Sequence, residues 1–513
     1  MSLFENILLL MLVAILALQF SRRLGIPYPA VLAAAGVAVA ALPSVPLVRI
    51  DPALALALFI APALLDSAYR LPLRALRRHW VPLVALAVLA VLISAAAVAW
   101  LGMAWAGLPA VAALALGAVV APPDAAATSA MLGRLALPRS TVTVLKGESL
   151  FNDAAALLLL AAALELAAVP DEGFATLLLH LAPAVPGGLL FGYGAARLYM
   201  LLAGRLKGTL GGILFQFVGT FGTWLIAERL HLSAILAVVA YGMTVAATAS
   251  YRTGARERVH AASVWDSAVF LLNVLAFFLL GLQARDIVLR LEAAPLREAL
   301  ALAGLVLLVV IAVRLGWVLV YGLLARRMAA RGWLAEAPAW RQSLVAGWCG
   351  MRGLVTLAAA LALPDAFPGR DLIVISALVV VLGTLVLQGL TMVPLVRRLG
   401  FDGDDGLEAE LAVARVALME AALAALPPEG EAAGILRREY RAAREVAASG
   451  RNPRAVRDID ALKRAGIAAK RRRLAGLRRS GQVHDDVYRA LEQELDWAEL
   501  AITPADRQTI LEG

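Results

Sequence analysis

Charge is what this sequence has least of. Only 17% of its 513 residues are Asp, Glu, Lys or Arg, against 61% hydrophobic. A soluble domain covers its surface with roughly a quarter charged residues, so water is not the solvent around most of this chain. Cysteine is nearly missing as well. Cys349 is the single one, which excludes a disulfide within the chain and a thiolate zinc centre. Histidine is scarce at five residues, and no metal-ligand spacing is seen. There is no P-loop, which argues against a nucleotide-driven pump, and no TVGYG-like filter of a potassium channel. The formal charge of +9 is not accompanied by a finger, a ribbon or an Arg/aromatic stripe, so nucleic acid is not the expected partner.

What the chain has instead is long apolar runs. A helix crossing the hydrocarbon needs roughly 20 residues at about 1.5 Å each. Thirteen stretches qualify: 4–21, 27–47, 52–69, 80–100, 107–131, 144–167, 174–203, 208–228, 232–250, 264–284, 298–325, 340–363 and 371–395. The first begins without a basic region before it and is followed by more, so it reads as a span rather than a cleavable signal. Basic residues concentrate in the connections after odd-numbered stretches, as in Arg70, Arg74, Arg77 and Arg78, or Arg326, Arg327, Arg331 and Arg341. The positive-inside rule then places the N-terminus outside and the C-terminus in the cytoplasm.

The expected fold is therefore an all-α polytopic membrane protein, with a transmembrane domain over residues 1–400. A charge-rich helical cytoplasmic tail over 404–513 is expected to be regulatory. Its basic cluster KRRRLAGLRR, residues 470–479, suits either an anionic lipid surface or a solvated helix face.

Ionisable groups inside such runs are costly and point to function. In KGESLFNDAAALLLL, Glu148, Ser149, Asn152 and Asp153 head an Ala/Leu run. At helical spacing they fall at about 0°, 100°, 40° and 140°, one polar arc. Asp153 lies deepest with no cation nearby in sequence, and Ser149 four residues earlier converges on the same point. In AVVAPPDAAATS, Pro122 and Pro123 must break the fifth span. Asp124 follows, placed to cap the next half-helix, and the carbonyls near Val120 and Ala121 are candidate cation ligands. Asp66 in LFIAPALLDSAYR is either a third site acid or a partner of Arg70 at i,i+4. Arg314, in mid-span, needs a buried acid, and Glu148 is the best available. Gly347, Gly350 and Gly353 around Arg352 form a second break, in the twelfth span. Asn273 reads as a structural interhelical group.

The two breaks occupy corresponding positions if spans one to six and eight to thirteen form inverted six-helix halves. Paired broken helices of this kind are the mark of a secondary transporter. An acid at that depth can hold a proton or a cation, and competition for one carboxylate couples the two flows. One-for-one exchange would be electroneutral. A cation channel is the nearest alternative.

These residues carry a resemblance. APPDAAATS followed by KGESLFNDAAALLL is similar to the monovalent cation:proton antiporter-1 family, the bacterial sodium/proton exchangers of the NhaP type and their animal relatives. AERLHLSAILAVVAYG (227–242), VWDSAVFLLNVLAFFLLGLQ (264–283), AGWCGMRGLVTLAAALALP (346–364) and LVLQGLTMVPLVRRLG (385–400) agree in order.

The resemblance implies a scaffold bundle with a moving ion-binding core, and a homodimer in the bacterial cytoplasmic membrane working by an elevator-like motion. It implies no cofactor and no enzyme activity. Ion contact falls to Asp153, Ser149 and Asp124, supported by Asn152, with Asp66 carried over from an altered motif. Glu148 pairs with Arg314, and Arg352 matches the second family arginine. Many relatives have Thr-Asp-Pro where this chain has Pro-Pro-Asp-Ala, which leaves sodium, potassium and lithium all open. Asn152-Asp153, in place of paired aspartates, points to the electroneutral branch.

Overall fold

The computed structural model describes residues 3–24, 26–41, 51–71, 73–124, 137–168, 182–206, 209–252, 255–289, 293–332, 337–401, 405–448, 453–480 and 482–502. All regular structure among them is helical. Helices, whole or broken, lie over each of the thirteen apolar stretches. Five of them are long and apolar enough to cross a membrane: Trp80–Ala106, Arg139–Ala168, Glu257–Gln283, Leu296–Ala330 and Arg370–Leu399. Tyr28–Ala40, Ala110–Val120 and Ala234–Thr248 are shorter apolar helices. The ends of the 27–47 and 107–131 stretches and the start of the 174–203 stretch fall outside the described residues.

The chain is inside-out relative to a soluble protein. Leu190, Trp100, Leu214 and Leu308 are exposed on the surface, while Asp124, Glu148, Asp153, Arg314 and Arg352 are buried. Only hydrocarbon makes such an exterior favourable. With lipid as solvent, helices associate through close packing and hydrogen bonds. The Tyr28–Ala40 helix accordingly meets the Ala255–Leu289 helix at two glycines, where a Cβ on Gly281 would lie 2.8 Å from the Gly36 Cα.

Helix ends follow local chemistry. The Ala90–Ala106 helix stops at Gly107, whose φ of +60° a side chain would resist. Thr209 caps the Leu210–Arg229 helix by accepting from the Gly212 N–H. Two π-turns, Leu56–Ile60 and Ala85–Leu89, interrupt the ladder. At the second, the Ala85 carbonyl accepts from Trp317 Nε1 at 2.8 Å.

Two compact units divide at Asp402/Gly403. The C-terminal unit contains the helices Asp405–Ala424, Glu431–Ala448, Pro453–Arg479 and Asp485–Ile502. Within it, Arg471 reaches both Asp496 and Glu499, joining the last two helices through part of the basic cluster.

Candidate functional site

The Ala110–Val120 helix ends where Pro122 and Pro123 withdraw two backbone donors. The twelfth stretch is two helices, Trp340–Trp348 and Leu354–Leu361, separated by unwound residues 349–353. These two breaks touch. The Asp124 N–H donates to the Met351 carbonyl at 2.7 Å, and Asp124 Oδ2 accepts from the Leu354 N–H at 3.1 Å. Asp124 thus caps the helix of the opposite break, a partner 230 residues away; the half-helix expected to follow it lies outside the described residues. Gly353 permits this approach: a Cβ there would stand 2.7 Å from the Asp124 Cβ.

Arg352, fully buried, binds the other side of the crossing. Its Nε donates to the Val120 carbonyl at 3.2 Å and its Nη2 to the Ala121 carbonyl at 3.1 Å, and Nη1 reaches the Gly350 carbonyl. The carbonyls expected as cation ligands are therefore engaged by a guanidinium, which completes the helix end and repels a cation from that point. The Arg352 N–H donates to Thr384 Oγ1 at 2.9 Å.

On the Arg139–Ala168 helix, Glu148, Ser149, Asn152 and Asp153 are all buried, within 4% of full burial. Asn152 Nδ2 donates to the Pro123 carbonyl at 2.7 Å, tying this helix to the first break. Asn152 Oδ1 and Asp153 Oδ1 have no hydrogen-bond partner among the described residues, and the Asp124 carboxylate acts electrostatically on Asp153. Buried oxygens without donors are costly in an apolar surround. A cation or a proton is what such oxygens accept.

Glu148 faces the other way. Arg314 grips it with two nitrogens, Nη1 to Oε1 at 2.5 Å and Nη2 to Oε2 at 3.2 Å. The same Nη2 donates to the carbonyls of Ala346 and Cys349, each at 3.1 Å, at the end of the Trp340–Trp348 helix. Gly350 leaves room, since a Cβ there would sit 2.6 Å from Arg314 Nε.

Asp66 is placed in a different cluster. It accepts from Arg70 Nε at 2.8 Å, Arg70 also reaches Asp266, and the Asp266 and Lys146 charges both act on it. Sequence reasoning did not pick out two residues of the Arg370–Leu399 helix. Thr384 anchors the Arg352 backbone, and Gln388 is fully buried with neither side-chain polar atom paired among the described residues. Their signal was two polar groups four apart in an otherwise apolar run. Asn273, taken as structural, is half-buried on the Ala255–Leu289 helix.

A family model described as "Sodium/hydrogen exchanger, transmembrane" matches residues 8–398. The chain is 31% identical over 488 residues to the "Uncharacterized Na(+)/H(+) exchanger Rv2287" of Mycobacterium tuberculosis, covering 90% of this chain and 89% of that one. It is 30% identical over 386 residues to the "Sodium, potassium, lithium and rubidium/H(+) antiporter" of Bacillus pumilus, 72% of this chain and 57% of that one. In fold it is similar to the sodium proton antiporter MjNhaP1 from Methanocaldococcus jannaschii at pH 8, with a TM-score of 0.57 and 20% identity, over 76% of this chain and 100% of that chain.

Proposed function

The chain belongs to the sodium/hydrogen exchanger family, of the NhaP type, whose members exchange a monovalent cation for protons across a membrane, and we propose that Asp153 is the carboxylate at which the two ions compete. The observation that carries this reading is a charge count. Among the described residues, the buried ionisable groups that carry charge are Asp124, Glu148, Asp153, Arg314 and Arg352. Glu148 and Arg314 neutralise each other in contact. Arg352 offsets one further carboxylate. With all the acids ionised, one negative charge is left over, and Asp153 Oδ1 is a fully buried carboxylate oxygen with no hydrogen-bond partner among the described residues.

A single proton or a single alkali cation completes the balance. Both together would leave a net positive charge in a site closed to water, which is costly. Competition then enforces one-for-one, electroneutral exchange. Ser149, one turn before Asp153, the Asn152 amide oxygen and Asp124 are the remaining oxygen ligands for the cation. Pro122, Pro123, Gly350 and Gly353 keep the two breaks in contact, and Arg352 holds their carbonyl ends. The transported ion is sodium, or potassium or lithium as its near chemical relatives. Asp66 is paired with Arg70.

Thirteen spans in two inverted six-helix halves, with the N-terminus outside and the tail in the cytoplasm, are the topology that goes with this mechanism. The meeting of the fifth- and twelfth-stretch breaks supports it. Alternating access by a homodimer in the bacterial cytoplasmic membrane, with a regulatory tail, completes the reading.

The test is reconstitution in sealed vesicles. A proton gradient should drive radioactive sodium, or a potassium or lithium equivalent, in the opposite direction, at a rate unchanged by a clamped membrane potential. Asp153→Asn should abolish both fluxes in protein that elutes and unfolds like wild type. Coupled exchange surviving in that variant would remove Asp153 from its role.

A further inference from the structure

The Arg370–Leu399 helix carries three polar residues on one face, Thr384, Gln388 and Thr391, spaced i, i+4 and i+7 among apolar neighbours. It lies along the broken twelfth stretch, and its two threonines fix the register. The Arg352 N–H donates to Thr384 Oγ1 and Trp348 Nε1 donates to Thr391 Oγ1, each at 2.9 Å. Residues 348 and 352 bracket the unwound segment, so Gln388 stands at the level of Cys349, Gly350 and Met351. Packing agrees, since a Cβ on Gly389 would lie 3.9 Å from Met351 Sδ.

The middle rung of this ladder is unmade. Gln388 is fully buried, and among the described residues neither Oε1 nor Nε2 has a partner. The flanking threonines both donate and accept: Thr384 Oγ1 donates to the Val381 carbonyl at 3.2 Å, and Thr391 Oγ1 to the Leu387 carbonyl at 2.6 Å. At the level of Gln388 the backbone acceptors are already engaged by other groups. The Cys349 carbonyl accepts from Arg314 Nη2 at 3.1 Å, the Gly350 carbonyl from Arg352 Nη1, and the Met351 carbonyl from the Asp124 N–H at 2.7 Å. An amide with both ends unpaired in an apolar surround is costly, and an apolar side chain of similar length would suit this arrangement better.

We propose that Gln388 is a positioning residue for the conformational step of exchange, a reserve partner that pairs with the unwound segment once its present partners let go. Alternating access requires the broken helices to change their arrangement. Arg314 sits on the Ala293–Ala330 helix and Asp124 at the other break. A shift of the twelfth stretch against either one frees the Cys349 or Met351 carbonyl at membrane depth, where an orphaned carbonyl is costly. Gln388 Nε2 is the unengaged donor on the helix alongside. Its amide thus disfavours the arrangement seen here and favours the next one, and a differential contact of this kind is what moves a two-state equilibrium. The proposal rests on the exchange activity of the family and not on the Asp153 reading, so coupled flux surviving in Asp153→Asn would leave it standing.

The test compares the full-length wild type with Gln388→Met and Gln388→Leu, which fill the space without polar atoms. Thermal unfolding is measured on purified protein, coupled exchange in sealed vesicles over a range of cation concentrations, and amide hydrogen exchange on the peptide covering residues 348–353. Both variants should unfold at or above the wild-type temperature, because the unpaired amide is gone. Turnover at saturating cation should fall about tenfold, the worth of one hydrogen bond lost from the rearranged state, with no rise in the cation KM. Amide exchange of the segment should slow, because the arrangement seen here gains population. Wild-type turnover in both variants would overturn the proposal, as would a fall in turnover matched by a rise in KM. A lower unfolding temperature with faster amide exchange would overturn it too, since Gln388 would then only hold this arrangement together.

Discussion

Replacing Glu148 with Gln tests how much the buried ion pair contributes. Glu148 is 1% exposed and Arg314 2%, so solvent screening is negligible. Removing one partner of such a pair leaves an uncompensated charge and costs about 3–5 kcal/mol. Arg314 keeps the carbonyls of Ala346 and Cys349 as acceptors, each at 3.1 Å, which favours the lower end. About 3 kcal/mol is expected, roughly a 150-fold fall in the folded-to-unfolded ratio. The assay is thermal unfolding of purified protein for Glu148→Gln, Arg314→Gln and the double variant. Each single change should lower the midpoint, and the double should regain most of it, with a coupling of about 2 kcal/mol or more. Exchanging the two charges should rescue poorly, because a carboxylate at position 314 would face those same two carbonyls. A Glu148→Gln protein as stable as wild type, or strictly additive single effects, would refute the reasoning.

Three further outcomes follow, two from the crossing and one from the shared carboxylate. Gly353→Ala pushes a Cβ against Asp124 and should separate the breaks, lowering both stability and exchange rate; unaltered unfolding and flux would show that the contact is dispensable. Asp124→Asn retains a carbonyl oxygen to accept from the Leu354 N–H, so stability should change by about 1 kcal/mol or less while cation affinity falls; the two are read from unfolding and from the flux KM. Because proton and cation compete, the cation KM should rise by about tenfold per unit fall in pH across the range of proton inhibition. A KM independent of pH would exclude a shared carboxylate.

The sequence reveals these features unevenly, for physical reasons. Asp153 and the need of Arg314 for an acid are readable because charge at membrane depth has few tolerable explanations. The breaks are readable because proline and clustered glycine act locally on the backbone. Which break Asp124 caps is not readable: its partner lies 230 residues away and follows from the crossing itself. The capture of the Val120 and Ala121 carbonyls by Arg352 is hidden in the same way. Thr384 and Gln388 are visible as polar residues in an apolar helix, yet their partners, or lack of them, are tertiary facts. Asp66 illustrates local competition. A cation at i,i+4 supplies a ready partner, and the structure records that pairing.

The one thiol of the chain lies in the unwound segment between the two halves of the twelfth stretch. Cys349 is 1% exposed, and its carbonyl is held by Arg314. A water-soluble maleimide therefore meets no other sulfhydryl, and its uptake clocks how often that segment becomes wet. The protein thus carries its own gauge for the wetting of that segment, usable without engineering.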